Sequence, residues 1–542
     1  MSGSHSWNLS ARTLSRNFNG RWLACLCVLL GVSVSAAAVA DDQFQMPQVK
    51  EPAIPARVVN LADVGGRPDG KTLNTEIIAR AVSSLAEKGG GKLVVPAGIW
   101  RTGPIRLQSN LELHLEEGAL VQFTSDFKQY PEVTFDVRGE KETRLMSPLY
   151  GENLQNVAIT GRGVFDGAGD AWRPVKKIKM TARQWKQLLA SGGVLEDNGN
   201  IWWPSEEARK DRRPVLLKLV NCRQILLQGV TFQNSPMWNL NPTLCADVTI
   251  RDVTVRNPWY SQNGDGLDLE HCRKVVVRNS RFDVGDDAIC LKSGANEKGH
   301  RIGVPTENVL VEDCIVYHGH GGFTIGSEMS GGVRNIRVNN CLFMGTDVGL
   351  RFKSQRGRGG IVEKIYISNV RMTDIATDAI GFNMYYSGQA PLDENGDLTT
   401  GESKAVPVSE ETPQFRDIYF DDIVCRGARS AVVLEGLPEM PIRGVHLHNV
   451  SITAERGLAC MDAENITCEN VEILNSKGPV VNLFDTKNAV LDHLIFPKGA
   501  EAVIKAQGDK NGGIVIQNTD LKSAAKDFIL TGGATTNAFQ IK

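Results

Sequence analysis

Beyond residue 34 the chain has no apolar run long enough to cross a bilayer. It has no basic tract of the kind that binds nucleic acid, and its formal charge is only −2. Its 11 cysteines include no CxxC pair, so the usual zinc frameworks are excluded. Cys25 and Cys27 sit in the N-terminal apolar run. The nine others are an odd number, so at least one is unpaired within the chain. Buried small apolar residues are the plainer reading of these cysteines; a Cys314–Cys341 bridge stays open.

The N-terminus reads as an address. Arg12, Arg16 and Arg21 precede the apolar run from Trp22 to Val34, and Ala38-Val39-Ala40 offers a small-residue cleavage site. Residues 1–40 are therefore expected to be a secretory signal, with Asp41 as the mature start and a secreted or periplasmic location. No membrane span is expected after cleavage. Loss of three arginines moves the formal charge from −2 to −5. A mildly acidic chain gains no bulk attraction for a polyanion, so an anionic ligand would need local cations.

What is abundant is glycine, 54 in all, together with period-two patterning. Residues 41–60 form a leader with three prolines. Asn74 to Lys88 then reads as an amphipathic helix with Ile77, Ile78, Ala81, Val82 and Leu85 on one face. Asn74 or Thr75 can cap it, and Gly89-Gly90-Gly91 ends it. Such a lone helix suits the open end of a solenoid.

A weak repeat follows. Val248-Thr249-Ile250-Arg251-Asp252-Val253, Val275-Val276-Val277-Arg278-Asn279-Ser280 and Val309-Leu310-Val311-Glu312-Asp313-Cys314 share alternation, then Asn or Asp, then a small or apolar residue. The series continues at Cys341, Val370, Ile423 and Val450, with steps of 27, 34, 27, 29, 53 and 27 residues from Val253 onward. Short strands and turns at that period predict an all-β parallel β-helix over residues 61–542; a β-sandwich alternates but does not repeat one Asn/Asp column. Stacked asparagines are expected to satisfy buried turn polarity.

Two insertions, at about 168–213 and 386–413, break the repeat. The first holds a helical patch around Gln184–Leu189 and Trp172, Trp185, Trp202 and Trp203. Those tryptophans suit either a binding surface or local core. The repeat fades through Ile514–Ile516 and Phe528–Leu530 into a tail, with no separate C-terminal domain.

Stacking the coils places chemistry. Gly266–Glu270, Ala288–Lys292, Gly322–Gly326, Gly349–Lys353 and Ala379–Asn383 align with a small residue and two apolar columns throughout. Arg351 and Lys353 then face outward together. Asp265 and Asp287 share a column, with Asp286 and His320 in the column before it. Strands stack roughly 4.7–4.9 Å apart, so three carboxylates crowd together and at least one should be driven toward its neutral form. A neutral carboxyl beside ionised ones can protonate a leaving oxygen while a neighbour activates water.

The series Asn263-Gly264-Asp265, Gly285-Asp286-Asp287, Gly319-His320-Gly321, Arg351-Phe352-Lys353 resembles glycoside hydrolase family 28, the polygalacturonases, over most of residues 60–500. The resemblance implies a right-handed β-helix and inverting hydrolysis of α-1,4-linked galacturonate with no metal or organic cofactor. It makes Asp286 the general acid, Asp265 and Asp287 the holders of the attacking water, and His320 the support of the acid's protonation. It gives Arg351 and Lys353 a substrate carboxylate, and it puts Asn263 with the substrate-binding residues. A family tyrosine falls on Tyr385 or Tyr386. The expected partner is an acidic polysaccharide or oligogalacturonide, met by a monomer, with exo action if the insertions wall off one end. The alternatives are a hydrolase of rhamnogalacturonan or xylogalacturonan, a calcium-dependent pectate lyase on the same scaffold, and a non-catalytic glycan-binding solenoid using the tryptophans.

Overall fold

The computed structural model describes Phe44, residues 47–388 and residues 404–542. The signal over 1–40, the start at Asp41 and the middle of the second insertion lie outside the described residues. The fold is a right-handed parallel β-helix. The coils just before the site contribute three strand segments each, and the last coils two. Leu217–Val220, Arg223–Gln228 and Thr231–Gln233, for example, pair in parallel with Leu240–Thr243, Ala246–Arg251 and Thr254–Arg256 of the next coil. The repeated hexapeptides stack in the register their likeness implies. Val248, Val275, Val309, Ile336, Ile365, Ile418 and Val445 form one column, which crosses even the 53-residue step unbroken. All of them are buried.

The Asn/Asp column has a different cause from the one expected. Asp252, Asn279, Asp313, Asn340, Asn369, Asp422 and Asn449 all hold φ between 48° and 57°. The left-handed region is where Asn and Asp are better tolerated than other side chains with a Cβ. The column is exposed rather than buried, and rungs such as Asn340 Nδ2 to Asp313 Oδ1 (2.6 Å) and Asn470 Nδ2 to Asn449 Oδ1 (2.6 Å) run along its surface. Backbone geometry selects these residues, and the side-chain ladder follows from the stacking.

Helix α1 (Thr75–Glu87) packs Ile78, Ala81, Val82 and Leu85 onto the first coils. Asn74 precedes it but makes no side-chain cap. Its amide instead ties the preceding loop, donating to the carbonyls of Arg67 and Arg101 and accepting from the Arg67 N–H. At the other end the tail is itself stacked, with Phe539–Ile541 pairing onto Ile514–Gln517. The leader runs along the flank of the coils: the Lys50 N–H donates to Asp247 (3.2 Å), and the Phe44 ring meets Tyr366 edge-on at 6.1 Å.

In the first insertion α2 (Ala182–Ala190) has a capping box between Thr181 and Gln184. Trp172, Trp185, Trp202 and Trp203 are all at least nine-tenths buried, so they form local core and not an exposed platform. The nine cysteines from Cys222 to Cys468 are buried thiols, and the Cys314–Cys341 bridge is not formed. Among the described residues no helix is long and apolar enough to cross a membrane.

Candidate active site

Five successive strands carry the site: β1 (Leu267–Glu270), β2 (Ile289–Lys292), β3 (Ile315–Gly326), β4 (Thr346–Lys353) and β5 (Asp378–Asn383). Leu267 pairs with Ile289, Ile289 with Phe323, Phe323 with Leu350, and Leu350 with Ile380. That is the alignment read from the sequence. Alternation drives Leu350, Phe352, Ile380 and Phe382 inside, where Phe352 and Phe382 stack at 4.1 Å. Arg351 and Lys353 are turned to the opposite side.

Just before β1 and β2 the chain bends so closely that two motif glycines are required. A Cβ on Gly264 would sit 1.9 Å from Ser261 Oγ, and one on Gly285 would sit 2.4 Å from the same oxygen. With both bends drawn in, one oxygen from each of Asp265, Asp286 and Asp287 lies within 4.8 Å of the others. Asp265 and Asp287 are buried, at 3% and 1% exposure, whereas Asp286 keeps 14% of its side chain open. The trio is close enough for each charge to act on the others and for the three to chelate a cation.

The three carboxylates differ electrically. Burial alone would push Asp287 up. Lys353 Nζ at 2.7 Å from Oδ2 and Arg351 Nη1 at 3.1 Å from Oδ1 outweigh it and hold Asp287 well below the usual carboxylate range. The Thr324 hydroxyl donates to the same Oδ1 at 3.1 Å. Asp265 goes the other way, raised first by burial and then by Asp286 and Asp268. Asp286 Oδ1 accepts from the Asp287 N–H at 3.0 Å and lies 3.1 Å from His320 Nδ1.

Tyr386 lies at the site: its ring centre is 4.8 Å from Lys353 Nζ, and 43% of the residue is exposed. Tyr385 is buried in the core. Asn263 stands at the rim with φ 54°, and Arg213 Nη2 donates to its Oδ1 at 3.2 Å. Beyond Arg351 and Lys353 a cleft of about 740 Å³ continues over later coils past Tyr386, Asp378, Arg429 and Glu435.

Several site neighbours escaped the sequence reading. Asp268 is fully buried and pushed up to about 8 by burial, despite Lys292 Nζ at 3.5 Å. Lys292 also pairs with Glu328 at 3.0 Å and draws that carboxyl down to about 2. Lys292 shares the column of Lys353, and Thr324 that of Arg351, so the coil alignment contained both. Lys179, with Nζ 2.9 Å from His320 Nε2, and Arg213 come from the first insertion, which has no repeat to register.

Comparison with known proteins bears on the family. The family model of Glycosyl hydrolases family 28 matches residues 174–478. A probable polygalacturonase of Vitis vinifera is 30% identical over 76% of this chain and 78% of its own. An exo-poly-alpha-D-galacturonosidase of Dickeya chrysanthemi is 25% identical over 77% of this chain and 72% of its own. Among solved structures, a hyperthermoactive exopolygalacturonase from Thermotoga maritima superposes with a TM-score of 0.62 at 30% identity, covering 83% of this chain and 93% of that one. With both the family model and these long alignments in agreement, the chain belongs to family 28 of the glycosyl hydrolases.

Proposed function

We propose that the chain is a secreted or periplasmic enzyme that hydrolyses α-1,4-linked polygalacturonate from a chain end, inverting the anomeric carbon and using no cofactor. The observation that carries this reading is the pairing of a three-carboxylate cluster with two outward cations, Arg351 and Lys353, one of them within 2.7 Å of Asp287. A galacturonate carboxylate fits those cations, the arginine as a fork and the lysine as a point charge.

Asp286 is the acid, because it alone of the three keeps appreciable exposure and can touch a glycosidic oxygen. Asp265 and Asp287 hold the attacking water, and Asp287, the ionised member, takes its proton. Substrate binding sharpens this base. When the sugar carboxylate engages Lys353 and Arg351, their hold on Asp287 weakens and its affinity for a proton rises. One oxygen of each carboxylate lies within 4.8 Å of the others, so proximity alone would also admit a double displacement. A covalent route is disfavoured nonetheless, since both Asp287 oxygens are engaged by donors and Asp265 is driven toward its neutral form.

Exo action is favoured by the first insertion, which reaches the site at His320 through Lys179 and at Asn263 through Arg213, while the cleft continues on the other side. Proton NMR during digestion of polygalacturonate tests the chemistry. The β-anomer of the new reducing end should appear first; first appearance of the α-anomer would overturn single displacement.

A lyase is the second reading, because the trio has cation-binding spacing. Unsaturated products absorbing in the ultraviolet and lost on chelation would establish it. Saturated products unaffected by chelator are the expected result.

A further inference from the structure

Lys179 belongs to the first insertion, outside the repeat, yet its Nζ lies 2.9 Å from Nε2 of His320. The other ring nitrogen, Nδ1, lies 3.1 Å from Asp286 Oδ1. An ammonium has only hydrogens to give, so Nε2 must accept and the ring's single proton sits on Nδ1, aimed at Asp286. A competitor stands close by. Asp347 Oδ2 is 3.7 Å from the same Nε2, and an ionised carboxylate favours the opposite tautomer because it can only accept. Lysine and aspartate thus contend for one nitrogen, and the lysine is the one at hydrogen-bonding distance.

We propose that Lys179 is a positioning residue that fixes the tautomer of His320 and thereby decides which oxygen of Asp286 carries the acid proton. The inference rests on the reading of Asp286 as the general acid. Asp286 Oδ1 already accepts from the Asp287 N–H at 3.0 Å. With the Nδ1–H of His320 also aimed at it, Oδ1 has two donors and is a poor place for a proton. The proton is left on Oδ2, free to pass to the leaving oxygen. Without Lys179, Nε2–H turns to Asp347 and Nδ1 becomes an acceptor. Asp286 then gives its proton to the ring instead of to the substrate. The insertion therefore does more than wall the site, since it also sets the direction of the proton.

The test is nitrogen-15 NMR of the whole enzyme labelled at histidine, with the His320 signals assigned from a His320→Gln variant. The wild type should show a protonated Nδ1 and a bare Nε2. Lys179→Met should exchange the two, and Lys179→Arg, which also only donates, should keep the wild-type pattern. Turnover should follow the tautomer: Lys179→Met loses about tenfold or more in kcat with KM little changed, and Lys179→Arg recovers most of it. An unchanged tautomer in Lys179→Met overturns the proposal. So does a raised KM at constant kcat, which would make Lys179 a substrate contact. If the wild type hydrolyses no polygalacturonate, the proposed function fails by itself, and the NMR pattern still decides the tautomer.

Discussion

Lys353 Nζ stands 2.7 Å from Asp287 Oδ2, so the cation read as the receiver of a substrate carboxylate already holds one of the protein's own. Both groups are buried, and each shifts the other toward its charged form. Lys353→Met should therefore cost about 3–5 kcal/mol of stability by stranding a buried carboxylate, as well as weakening substrate binding. Adding Asp287→Asn to Lys353→Met should restore much of the melting temperature and none of the activity. A single variant as stable as the wild type would show that the pair carries no such load.

Asp286→Asn keeps the shape and hydrogen-bonding capacity of the side chain but has no acid proton. Hydrolysis of polygalacturonate should fall by about 10²–10⁴-fold in kcat, with KM and the circular dichroism spectrum unchanged. Unchanged turnover would remove Asp286 from the chemistry.

The coil alignment was legible because five strands share a small residue and two apolar columns, so that one registration fixed the placement of Asp265, Asp287, Arg351 and Lys353 together. The capping helix was legible from its stripe, though the role of Asn74 was not, since a side chain that fits a cap fits a loop clamp as well. The tryptophans could not be assigned from sequence, because a buried tryptophan and a sugar platform have the same composition; only packing separates them. Lys179 and Arg213 lay beyond reach for another reason. Their insertion folds on its own small sheet, formed by Val175–Lys176, Val194–Glu196 and Ile201–Trp203, which the periodicity of the coils does not constrain.

Stability should fall as the medium becomes more alkaline. Asp462, at the turn after a late strand, is pushed up to about 7 by burial and then by Asp485. A carboxyl raised in the folded state contributes fully below its unfolded pKa of about 3.9, and that contribution is lost as pH rises through the folded value. Asp462→Asn, whose φ of 46° suits asparagine, should match the wild type at about pH 4 and exceed it by roughly 2–4 kcal/mol at about pH 8. Equal melting temperatures of the two proteins at both values would refute this.

Mode of attack can be read from viscosity. End-wise release should thin polygalacturonate only in proportion to the reducing sugar formed. Rapid thinning with few new reducing ends would mean mid-chain cutting and an insertion that does not close the site.

Parallel strand pairing joins each winding to the next, and the left-handed Asn/Asp turns repeat at the same place in each, whatever length of chain departs and returns between them. The 53-residue step between Val370 and Ile423 joins the same ladder as its 27-residue neighbours. The peripheral excursions can therefore change in length without displacing the rungs that carry Asp265, Asp287, Arg351 and Lys353.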